Sequence, residues 1–76
     1  MLTVLRKYGI RFHFYGSDMG EPPHIHAEGH GGKAKVWLSP VRFAEHNGFK
    51  STDLKRILEV ANEHRIEFLE AWDEFF

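Results

Sequence analysis

The sequence contains no cysteine, so neither a disulfide framework nor a thiolate metal site is open to it. It has no apolar run of membrane-spanning length, and Met1 to Ile10 is too polar for a signal peptide. A cytoplasmic address with no membrane partner is therefore expected. No sign of charge dominates: the formal net charge is −1, which argues against strong non-specific binding to nucleic acid. No glycine-rich phosphate loop, Ser/His/Asp arrangement or nucleotide fingerprint occurs; Gly29 to Gly32 is short and lacks a strand-to-helix context. No organic cofactor is expected. Proline is scarce, but two of the three prolines stand together at Pro22-Pro23.

What remains is a small folding unit. A chain of 76 residues is one domain with a thin core, and an oligomer or partner could supply cover. Hydrophobic content of 42% excludes a disordered chain. The charge is unevenly spread. Residues 1–50 carry seven Lys/Arg against four Asp/Glu, a balance of +3, and residues 51–76 carry three against seven, a balance of −4. Five of the six histidines lie in the first part. A mildly basic, histidine-rich front thus precedes an acidic back.

The fold class read from the pattern is α+β: a small antiparallel sheet of three to four strands, packed on one face by a long or bent C-terminal helix. Strands are expected at about 3–6, 10–15, 24–28 and 33–38, with a helix at about 52–75. Ile10, Phe12 and Phe14 alternate with Arg11, His13 and Tyr15, the signature of a half-buried strand. Gly16 to Gly20 is a loop of turn formers, and Gly29-His30-Gly31-Gly32 suits a hairpin. Ala34, Val36 and Leu38 alternate with Lys33, Lys35 and Trp37 until Ser39-Pro40 ends the strand. Val41 to Phe49 is ambiguous: Val41-Arg42-Phe43 could be one more strand, and Asn47-Gly48 a turn or helix stop. From Ser51, a plausible N-cap, Leu54, Ile57, Leu58, Ala61, Phe68, Ala71, Trp72 and Phe75 trace a helical stripe.

The gap between Ala61 and Phe68 falls at Asn62-Glu63-His64-Arg65, where a bend between two helical pieces is expected. A straight helix from Thr52 to Phe75 would run roughly 36 Å, whereas a six-residue strand spans only about 20 Å. Its last turns, with Trp72, Phe75 and Phe76, must either fold back over a core short of material or project as a docking surface for a partner or a second copy.

Glu21-Pro22-Pro23-His24-Ile25-His26-Ala27-Glu28 organises the rest. The prolines fix an extended entry, and the strand that follows aims His24, His26 and Glu28 to one side and Ile25 and Ala27 to the other. Beside that row the outward face would carry Arg11, His13, Tyr15, Lys33, Lys35 and Trp37. Three readings compete. Arg and Lys could hold phosphates and Tyr15 and Trp37 could stack bases, with His24 and His26 as acid and base in RNA cleavage; the plain counterpart is a solvated sheet face. His24-x-His26 could instead hold zinc with Glu28, His13 or His30 as a third ligand, although no Cys or Asp completes a known pattern. Or the row is structural, His24 locking the loop from Gly16 to Glu21. His46 and His64 lie outside this set, and His30 reads as an exposed loop residue.

These residues also carry a resemblance. Thr3-Val4-Leu5, Phe12-x-Phe14-Tyr15, Glu21-Pro22-Pro23-His24-Ile25-His26, Lys35-Val36-Trp37-Leu38-x-Pro40, Asn47-Gly48-Phe49 and Ala71-Trp72-x-x-Phe75 together resemble the small prokaryotic family called domain of unknown function 4160. The resemblance covers nearly the whole chain. It implies a layout in which members are encoded beside another small protein, as in a toxin–antitoxin pair, and therefore a partner protein from a neighbouring gene and RNA as a candidate target. It carries over no catalytic residues; His24 and His26 match its motif positions, and His13 does not. The expected function is a binding and regulatory protein, one half of such a pair, working through the basic His/aromatic face. The alternative is a small ribonuclease-like toxin using His24 and His26, and metal binding is a third reading.

Overall fold

The computed structural model describes residues 2–76 and has the expected α+β class. The sheet has five antiparallel strands in sequence order: β1 (Leu2–Lys7), β2 (Ile10–Phe14), β3 (His24–Gly29), β4 (Gly32–Leu38) and β5 (Val41–Asn47). Two helices follow, α1 (Ser51–Glu63) and α2 (Arg65–Phe75). The expectation of three to four strands is thus corrected to five. The segment after Pro40 continues the meander, and its periodicity is blurred because β5 is an edge strand mostly open to solvent. A register shift between Lys35 and Val36 blurs it further, since Lys35 pairs with Glu45 but Val36 with Phe43.

Two of the hairpin turns are written in the sequence. Tyr8-Gly9 and His30-Gly31 both take positive φ at each residue, the geometry that matches the twist of two-residue hairpins. Gly29 lies against the first of these turns, and a Cβ there would stand 2.5 Å from the Gly9 carbonyl oxygen. Only glycine lets the two backbones approach this closely.

One face of the sheet forms the core. Ile10, Phe12, Phe14, Ile25, Ala27, Ala34, Val36 and Leu38 point to the helices and meet Ile57, Val60, Ala61, Phe68 and Trp72. Each is nearly or fully buried, the α/β match expected from the period-2 and helical stripes. Lys50, rather than Ser51, takes the N-cap position, and no side chain caps it. The helix bends at His64, within the expected Asn62-Glu63-His64-Arg65 break, where φ is −104° and ψ 18°. The hydrogen bonds His64 N–H to Val60 O (2.8 Å) and Phe68 N–H to His64 O (2.9 Å) bridge the bend. Arg65 anchors the second piece by donating from Nε to the Leu38 carbonyl at 2.7 Å.

The bend settles the length problem by bringing α2 back over the sheet. Trp72 is therefore a core residue, 8% exposed, with its ring 5.4 Å from Phe14 and 5.0 Å from His24. Of the two placements open from the sequence, Trp72 takes the one in the core. The β2–β3 pairing stops at His13↔His26. Phe76 packs 4.3 Å from Trp72, and Phe75, stacked 6.2 Å from Phe14, keeps 37% of its surface exposed. No helix among the described residues is long and apolar enough to cross a membrane.

Candidate functional site

The register assembles the row read from the sequence. Across β3 and β4, His24 faces Trp37, His26 faces Lys35 and Glu28 faces Lys33; across β2 and β3, Arg11 faces Glu28 and His13 faces His26. Tyr15 lies just past the end of β2, with its ring 4.7 Å from that of His26. All of the outer-face residues named from the sequence thus lie on one side of three adjacent strands.

They do not form an open basic surface. Arg11 donates to Glu28 at 3.0 Å, Lys33 lies 3.6 Å from the same carboxylate, and Lys35 is bound to Glu21. Lys35 also sits 4.8 Å from the Trp37 ring. The hydrogen bond from Lys35 holds the exposed Glu21 carboxyl below its ordinary range. Each cation expected to meet phosphate is therefore paired with a carboxylate, Arg11 and Lys33 with the same one.

Nor is the row solvent-facing along its length. His24 is 0% and His13 1% exposed, against the outward placement expected for both. The loop between β2 and β3 folds back over His24 and brings in Asp18, with Trp72 against the same ring, while the Tyr15 and His26 rings stand against His13. A single 3-10 turn, Gly16–Asp18, turns the Asp18 carboxylate back towards the strand. Asp18 Oδ2 accepts the Tyr15 backbone N–H at 2.8 Å, and His26 Nε2 lies 3.0 and 3.1 Å from its two oxygens. His24 Nε2 is 3.1 Å from Asp18 Oδ1 but is not aligned for a hydrogen bond. On its other side the His24 ring is fixed, because Nδ1–H donates to the Pro22 carbonyl at 2.9 Å. The signal for Asp18 was there in Tyr15-Gly-Ser-Asp18, where a short acceptor three residues on can bond back to a chain N–H.

Burial alone would raise the Asp18 pKa. The hydrogen bonds from Tyr15 N–H and His26, with the His24 ring beside it, outweigh it and hold the carboxyl below its usual range, so Asp18 is ionised at neutral pH. His13 is pushed the other way from a charged state: burial first, then the nearby Arg11 and His26, lower its pKa. Its ring stacks 5.6 Å from His26 and both nitrogens lack a hydrogen-bond partner. Asp18, His24 and His26 each offer one donor atom, and the three atoms lie within 4.8 Å of one another. Glu28 and His30, considered from the sequence as third ligands, are held elsewhere: Glu28 by Arg11, and His30 by Asp53 at 3.2 Å in the first turn of α1.

The model of a known family, described as Domain of unknown function (DUF4160), matches residues 9–73. The chain belongs to that family. The matched region runs from the β1–β2 turn into the last turn of α2, and so contains Asp18 and the whole outer row. No curated protein and no solved structure matches the chain.

Proposed function

We propose that this DUF4160 protein is a small binding and regulatory module, one component of a toxin–antitoxin-like pair, which meets a partner protein across the outer face of its sheet. The observation that carries this reading is the charge pairing. An RNA-binding sheet gains affinity when free Lys and Arg neutralise phosphates and release their condensed counterions to solution. Here Arg11 and Lys33 share Glu28, and Lys35 holds Glu21. Phosphates would have to displace those carboxylates. A charge-balanced face with apolar edges instead suits a protein. Met19 is 72% exposed beside the Asp18 turn, and Pro22, Pro23, Trp37, Pro40 and Arg42 line a cleft of about 230 Å³.

The test is co-expression with the small protein encoded by the neighbouring gene, followed by size exclusion. A complex that survives Lys33→Glu but is lost in Met19→Asp or Trp37→Ala is the expected result. Salt-dependent RNA binding by the native chain, weakened by Lys33→Glu and Lys35→Glu, would replace the partner protein with RNA.

RNA cleavage is kept as a second reading by one observation, the contact of a partly accessible His26 with an ionised Asp18, an arrangement that suits a general base. His24 is fully buried, so in that reading it positions Asp18 rather than touching substrate. Growth arrest on induction, relieved by His26→Ala at equal soluble level, is its test.

A further inference from the structure

We propose that Asp18, His24 and His26 form a three-ligand site for a divalent transition metal of the zinc, cobalt or iron(II) kind. This stands apart from the docking reading and uses different atoms.

The tautomer of His24 comes first. A carbonyl can only accept, so the nitrogen facing the Pro22 oxygen at 2.9 Å carries the proton, and that nitrogen is Nδ1. In the neutral ring Nε2 is then a bare lone pair. It is fully buried, has no hydrogen-bond partner, and stands 3.1 Å from an ionised carboxylate oxygen. Two acceptors at that separation repel unless something positive lies near both. A second proton on Nε2 would supply charge, but it would not lie on the line to Asp18. A cation in front of all three donors has no such requirement, because each lone pair then points to a common centre rather than to its neighbour.

The two distances to Asp18 agree with a shared centre. Zinc-type bonds to imidazole nitrogen and carboxylate oxygen are about 2.0–2.2 Å. Ligands adjacent around such an ion are therefore about 3.0 Å apart in an octahedral set and about 3.4 Å in a tetrahedral one. Asp18 Oδ1 lies 3.1 Å from His24 Nε2 and 3.0 Å from His26 Nε2. Outer contacts of the required kind are also present. A backbone carbonyl orients His24 through its far nitrogen, and the Tyr15 N–H holds the second oxygen of Asp18 at 2.8 Å. Two imidazoles and one carboxylate select a borderline transition ion over magnesium or calcium, which take oxygen ligands. Three protein ligands leave coordination positions for water or an added group. The bound ion would tie the β2–β3 loop, through Asp18, to β3.

The experiment uses the full, untagged chain, stripped with chelator and titrated with zinc chloride by calorimetry and with cobalt chloride by absorption and NMR. One equivalent is expected to bind, with a rise in melting temperature. Asp18→Asn and His26→Gln are expected to weaken binding by about 100-fold or more, and His46→Ala to leave it unchanged. Should the variants not fold, the native chain still decides. Cobalt must shift the imidazole resonances of His24 and His26 while leaving those of His46 and His64 in place. Substoichiometric binding with no change in melting temperature, or paramagnetic shifts centred on any other histidine, would overturn the proposal.

Discussion

Trp72 is where a core role and a docking role give opposite results. Its ring touches Phe14, His24 and Phe76, and only 8% of the residue reaches solvent. Removing a buried aromatic ring costs about 3–5 kcal/mol through lost transfer energy and the cavity left behind. Trp72 opens the last turn of α2, where the chain can relax into the gap, so the lower end, about 3 kcal/mol, applies. A domain of this length has about 4–11 kcal/mol of stability in all. Trp72→Ala should therefore remove about a quarter or more of it. With a urea dependence of about 1 kcal/mol per molar, the midpoint followed by far-UV circular dichroism should fall by about 3 M. Trp72→Phe, which keeps a ring against Phe14, should lose much less. If Trp72→Ala left the midpoint in place and instead halved the mass measured by sedimentation, the ring would be an interface residue and the packing described above would be wrong.

Other outcomes follow from the same geometry. Glu21→Gln with Glu28→Gln frees Arg11, Lys33 and Lys35, so single-stranded RNA affinity should rise and its log–log salt dependence should steepen by about 2, at roughly 0.7 per phosphate contact, in a fluorescence anisotropy titration. Gly32→Ala places a Cβ 2.6 Å from Phe49 Cγ, and the forced movement of that ring should cost about 1–3 kcal/mol in a thermal melt. His13 has a folded pKa below the ordinary 6.5, so the unfolded chain takes up its proton first as the pH falls. Stability of the metal-free protein should then be highest above about pH 6.5, decline below it, and level off once the folded ring also protonates; His13→Phe should flatten that decline.

The sheet was legible wherever one face is buried and the other is not. Ile10-Phe12-Phe14, Ile25-Ala27 and Val36-Leu38 alternate with polar residues because each strand packs against the helices on one side only. β5 escaped full recognition because an edge strand with its last residues in solvent has no apolar period to show. The bend was legible as a break in the stripe over Asn62-Glu63-His64-Arg65, and it falls on His64 within that segment. The row His24-x-His26-x-Glu28 followed from alternation alone. What alternation cannot supply is the cover. Asp18 reaches the row by a 3-10 turn eight residues before His26, a relation set by loop geometry rather than by period. For the same reason the burial of His13 and His24 was invisible: a strand pattern says which way a side chain points, and not what folds over it.

The outer row is costly for so small a domain. Leaving a buried polar atom without a hydrogen bond costs about 1–3 kcal/mol, and His13 has two such nitrogens while His24 has one. Apolar residues of similar shape at these positions would avoid the penalty, and in a thin core they would add burial besides. The inner row of the same strand, Ile25 and Ala27, already provides what packing requires of β3. Stability therefore gives no reason for two adjacent strands to turn imidazoles into a space that also receives a carboxylate. A group that binds there does. It would satisfy the His24 nitrogen and draw its affinity from the same unpaired atom that costs stability in its absence, so the melting temperature should respond to that ligand more steeply than to any change on the paired, solvent-exposed half of the face.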